Sequence, residues 1–236
     1  MTTRFAAAIA VAVAMPVAVW AVPAAAQNWN AQYAQTATGH RVGNPDADIQ
    51  LIEYVSYTCP HCAQFEQESE AELRYFYVHE GQATVEVRHF IRNIVDIVAA
   101  VSAECGGADA FYDNHRMFLN SQDEWMERGR ALSAAQQARW GAGDWGSRMR
   151  AIASDLDFYE MMEPRGLSRT QLDACLVDQS RAERIVAMSD ANAAEFGVQG
   201  TPSFVLNGAL LDGVHSWQGL REVLVATRET PPAALQ

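Results

Sequence analysis

The stretch Ile49-Gln50-Leu51-Ile52-Glu53-Tyr54-Val55-Ser56-Tyr57-Thr58-Cys59-Pro60-His61-Cys62-Ala63-Gln64-Phe65-Glu66 decides how the chain is read. Positions 49–57 are dense in β-branched and aromatic residues, which favour a buried strand. The period then changes. Phe65, Ser69, Leu73, Phe76 and Tyr77 recur at helical spacing, so a helix with one inward stripe starts at the cysteine pair. Gly81 closes it, and the alternation over 83–91 predicts a second strand. The unit is strand–turn–helix–strand, with Cys59-Pro60-His61-Cys62 at the turn from strand to helix.

Downstream, from 95 to about 178, only helical patterns occur, broken at Gly106-Gly107, Gly141-Ala142-Gly143 and Pro164-Arg165-Gly166. Ser133-x-x-Gln136 and Ser168-x-x-Gln171 read as capping boxes, and Ser180-x-x-Glu183 as a third, opening a long helix that stops at Gly197. A strand over 202–206, an Asn207-Gly208 turn, a partner strand over 209–211 and a helix over 217–228 follow. Upstream, 27–38 is polar and reads as a loose arm, and Gly43-Asn44-Pro45-Asp46 as a turn. The expected organisation is α/β: a leader at 1–26, the arm at 27–38, and an α/β unit split between 39–94 and 180–229. An all-helical insertion fills 95–179, and 230–236 is a tail.

Composition narrows the class. With 49% hydrophobic and 19% charged residues, the 236-residue chain is neither disordered nor collagen-like. A net charge of −12 excludes general nucleic-acid binding, which needs a basic face. All 17 basic residues are arginine, so no lysine can partner a buried acid. At the amino end, Arg4 precedes an apolar run over 5–22 broken by Pro16, and Ala24-Ala25-Ala26 supplies small residues for cleavage. That layout is a secretory signal, with a retained anchor as the alternative. A periplasmic location and a soluble mature protein are expected.

Export changes how cysteine is read. Four cysteines in an oxidising space favour disulfides, and the simplest pairing is Cys59–Cys62 with Cys105–Cys175. A sulfur at a helix N-terminus faces unpaired N–H groups and the positive end of the dipole. Pro60 at the first helical position loses no hydrogen bond there, and a protonated His61 adds positive charge. Cys59 is therefore expected as the thiolate nucleophile and Cys62, further in, as the resolving thiol. Stabilising that thiolate stabilises the reduced protein, which makes the closed pair an electron acceptor. A zinc site needs a second close ligand pair, which Cys105 and Cys175 do not form, so no metal is expected.

The segment from Glu53 to Glu66, with its Cys-Pro-His-Cys core, resembles the active-site segment of DsbA-type thiol:disulfide oxidoreductases. Gly200-Thr201-Pro202-Ser203-Phe204 is similar to that family's second signature. The resemblance implies a thioredoxin-like fold, a mixed sheet flanked by helices, carrying an inserted helical block. It implies that Pro202 is a cis-proline facing the cysteine pair, and that Glu53 and Glu66 are acids near it, fit to relay the proton of Cys62. An arginine, His89 or water would then take the place of the lysine usual beside such an acid. It implies no cofactor, a monomer, exported client proteins with free cysteines, and reoxidation by a membrane quinone-linked partner of the DsbB type. Thr201 departs from the valine common in the oxidases and is more usual in isomerase-like relatives. An isomerase or reductase therefore stands as the alternative, with a peptide-binding chaperone-like module as a rival from another class.

Overall fold

The computed structural model describes residues 28–229; the leader, residue 27 and the 230–236 tail lie outside them. Six strands form one mixed sheet in the order β1-β2-β4-β3-β5-β6: β1 (Tyr33–Gln35), β2 (His40–Gly43), β3 (Ile49–Val55), β4 (Ala83–His89), β5 (Ser203–Leu206) and β6 (Ala209–Leu210). The helices are α1 (Pro60–Glu72), α2 (Ile94–Glu104), α3 (Ala108–Asn120), α4 (Gln122–Ala131), α5 (Ala134–Arg139), α6 (Trp145–Asp155), α7 (Phe158–Met162), α8 (Arg169–Val177), α9 (Gln179–Phe196) and α10 (Trp217–Glu229). The sheet halves are thus separated in the chain by helices α2–α9.

The apolar strand β3 sits at the centre, parallel to β4 and antiparallel to β5. Its alternation divides the core. Tyr54 packs with Val198 and Val205 on one side, and its hydroxyl donates to the Asn192 carbonyl of α9 at 2.9 Å. Leu51 and Val55 join the larger cluster on the other side. There Phe65 of α1 lies 4.7 Å from Phe204 and 6.2 Å from Trp217, centroid to centroid, tying α1 to β5 and α10. Burying a ring of that size contributes about 1.5–3 kcal/mol, so this contact fixes where the helix mouth sits.

Several expectations change in detail. The arm is not loose: Tyr33–Gln35 pairs with β2, which pairs with β4, so the amino end forms the sheet edge. Its polar composition fits an edge strand, whose outer face meets water. Strand β3 ends at Val55, two residues early, and β4 at His89. Past Glu72 the helix continues as a π-turn over Leu73–Val78, which rotates the stripe. As a result Phe76 is 63% exposed instead of buried. Ser133 and Ser168 close full capping boxes, but α9 starts earlier, capped by Asp178, whose side chain accepts from the Arg181 N–H. Asn207 (φ +50°) and Gly208 (φ +83°) make the tight β5–β6 turn.

Candidate active site

Cys59 is the N-cap of α1, with Pro60 at the first helical position, where its missing N–H costs nothing. Cys59 and Cys62 are not bonded to each other, and both are buried, Cys59 at 4% exposure and Cys62 at 0%. Their ionisation is driven apart. Hydrogen bonding from the Cys62 thiol, from Thr201 and from the backbone N–H groups of Cys62 and His61 outweighs the cost of burial. Together they hold Cys59 down to about 5. Burial pushes Cys62 well above an ordinary thiol, and its bond to Cys59 adds to the rise. His61 is exposed, and its backbone N–H is among the groups that lower Cys59.

Across the cleft, the Thr201–Pro202 peptide bond is cis, and the Thr201 carbonyl lies 3.2 Å from Cys59 Sγ, where it accepts from the neutral thiol. The loop is braced from behind. Ser203 Oγ donates to the Gly200 carbonyl at 2.8 Å, and His215 Nδ1 lies 2.8 Å from the Pro202 carbonyl.

The two acids share a cavity whose lining includes neither cysteine. Glu53 is opposite Val87 and Phe204 in the sheet, 3% exposed, with Oε1 lacking a hydrogen-bond partner. Burial, reinforced by Glu66, holds its pKa well above the carboxylate range. Glu66 is raised to about 7 by burial, opposed by Arg116. Both line one cavity of about 60 Å³ between α1, α3 and the sheet, with Arg74 and Arg116 at its partly exposed end. A few waters fit there, at roughly 10–15 Å³ each. Of the three partners considered for Glu53, His89 is engaged elsewhere: its Nε2 lies 3.2 Å from Glu104.

Two groups that sequence reading missed hold the turn before Cys59. Asp96, fully buried at the start of α2, accepts from Ser56 Oγ at 2.9 Å and from the backbone N–H groups of Thr58 at 2.8 Å and Arg92 at 2.9 Å. Gln122 of α4 donates to the Tyr57 carbonyl at 2.6 Å and the Cys59 carbonyl at 2.9 Å. Asn93-x-x-Asp96 before an apolar run is a helix-start signal, and Asn93 does cap α2, but nothing local marks Gln122. Away from the cleft, Cys105 and Cys175 are joined, tying the end of α2 to α8.

The thioredoxin family profile matches residues 35–226. A protein-disulfide isomerase from Novosphingobium aromaticivorans is 41% identical, with a TM-score of 0.75 over 79% of this chain and 95% of that one. Wolbachia pipientis alpha-DsbA1 is 19% identical with a TM-score of 0.63, covering 79% of this chain and 88% of its own, a likeness of fold. A Rickettsia felis sequence, provisionally named a protein-disulfide oxidoreductase, is 29% identical over 170 residues, 71% of this chain and 52% of that one. The chain spans about half the length of the curated relatives it matches. The profile match begins in β1 and ends in α10, so it takes in both halves of the split sheet, and the chain belongs to the thioredoxin family.

Proposed function

We propose that the chain is a thiol–disulfide oxidoreductase that donates its Cys59–Cys62 disulfide to exported proteins. The observation that carries this is the opposed ionisation of two adjacent sulfurs, Cys59 at about 5 and Cys62 well above an ordinary thiol. A client thiolate attacks Cys59 Sγ, a new S–S bond forms, and the Cys59–Cys62 bond breaks with Cys62 leaving as a thiolate. Cys62 then takes a proton, for which Glu53 is the relay. The client's second thiolate attacks its own mixed-disulfide sulfur and expels Cys59 as a stable thiolate. Two electrons pass from the client to the enzyme, and a quinone-linked membrane partner of the DsbB type removes them. The client backbone lies along Thr201-Pro202. The protein acts as a monomer in the periplasm, sent there by the 1–26 leader.

Titrating the Cys59–Cys62 couple against glutathione tests this reading. A potential well above thioredoxin's roughly −270 mV is expected, and a value that low overturns the direction of transfer. Isomerase activity is the second reading, favoured by Thr201 and by the name of the 41% identical relative. Refolding of scrambled ribonuclease faster than oxidation of a reduced peptide would favour it. A pure peptide-binding module is excluded if Cys59→Ser abolishes the client effect while retaining peptide binding.

A further inference from the structure

We propose that His40, His89 and Glu104 form a buried site for one divalent zinc-type ion, clamping the sheet to the helical insertion. Nothing in their spacing along the chain marks them as ligands; the fold assembles them. His40 lies opposite Val87 in the β2–β4 register, so His89, two residues further along β4, projects from the same face as a diagonal neighbour. Glu104 ends α2 above that face. Its Oε1 lies 3.2 Å from Nε2 of His40 and 3.2 Å from Nε2 of His89, and all three ligand atoms fall within 4.8 Å of one another. Zinc–nitrogen and zinc–oxygen bonds of about 2.0–2.2 Å in a tetrahedral site put ligand atoms roughly 3.3 Å apart, so two of the three edges already have that length.

The surroundings agree. All three residues are buried, and His40 Nε2 has no hydrogen-bond partner although it lies 3.2 Å from the carboxylate. Phe111 stacks on the His40 ring at 3.6 Å and fixes its orientation. Two imidazoles and a carboxylate suit zinc over magnesium or calcium, which prefer all-oxygen cages, and over Cu(I), which prefers sulfur. Three protein ligands leave one tetrahedral position for a water, and a site this buried takes its ion while α2 docks onto the sheet, separate from the cysteine chemistry.

The test uses the oxidised full chain, with Cys59–Cys62 closed so that no thiolate competes. The protein is refolded from urea with zinc chloride, passed over a mild chelator and assayed for metal. About one zinc per chain is expected, falling at least tenfold in His40→Gln and His89→Gln and unchanged in the exposed His79→Ala. Should the buried variants fail to fold, cobalt(II) substitution of the wild type decides. A tetrahedral cobalt spectrum without a sulfur charge-transfer band supports the site. Absence of retained metal, equal metal in the variants, or a thiolate signature overturns it, and leaves a carboxylate shared by two imidazoles. None of these outcomes depends on the direction of disulfide exchange.

Discussion

Replacing Cys62 tests the proposed origin of the reactive sulfur. The largest influence holding Cys59 near 5 is the hydrogen bond donated by the Cys62 thiol, with Thr201 and two backbone N–H groups behind it. A hydrogen bond to a charged acceptor contributes about 1.5–3 kcal/mol. At 1.36 kcal/mol per unit, Cys62→Ala should therefore raise the Cys59 value by about 1–2 units. Cys62→Ser keeps a donor at that position and should stay within about half a unit of the wild-type protein. Because Cys105 and Cys175 are bonded to each other, each variant has one titrating sulfur, readable by ultraviolet thiolate absorbance and by the pH dependence of iodoacetamide alkylation. Identical values in the two variants would refute the sulfur–sulfur bond as the main cause. A value near the ~8.5 of free cysteine in both would refute the helix-mouth mechanism altogether.

Four further outcomes are expected. Because Cys59 titrates lower in the reduced fold than when unfolded, the pH-dependent part of the stability difference between reduced and oxidised protein should be absent below about pH 5. It should grow to roughly 2–3 kcal/mol by pH 7, and urea titrations showing no change between those pH values would contradict it. Glu66, raised to about 7, loses stability for the fold as pH climbs from its unfolded value; Glu66→Gln should be about 1–3 kcal/mol more stable than wild type at pH 8 and equal to it near pH 4. Opening the 70-residue loop with Cys105→Ala/Cys175→Ala should cost on the order of 4 kcal/mol in chemical denaturation while thiol exchange at Cys59 persists. Gln122→Leu leaves the Tyr57 carbonyl without the Gln122 amide, while the Cys59 carbonyl keeps the N–H groups of Cys62 and Ala63, so it should cost about 1–3 kcal/mol and slow alkylation of Cys59.

The central strand, the helix that follows it and the Asn207-Gly208 hairpin were legible because each is written in local period and turn chemistry. The edge strand Tyr33–Gln35 was not, since a short strand with water on one side has the composition of a loop. The exposure of Phe76 depends on a π-turn that shifts the face by one residue, which helical spacing cannot reveal. At the site, the cysteines and Pro202 stood out as motifs. Asp96 and Gln122 did not, because they reach the turn from helices 38 and 63 residues away. Glu53 was marked by a charge inside an apolar strand, but its coupling to Glu66 through a shared cavity appears only when α1 is laid across the sheet.

Cys59 and Thr201 touch in the finished molecule, yet 142 positions separate them. A chain made from its amino end at about 5–20 residues per second therefore exposes Cys59 for roughly 7–30 seconds before the opposing loop exists. Throughout that interval nothing selects which thiol may meet it, and Cys62 and Cys105 are both within reach of a growing polypeptide. A reducing site of synthesis would suppress such premature crosslinks.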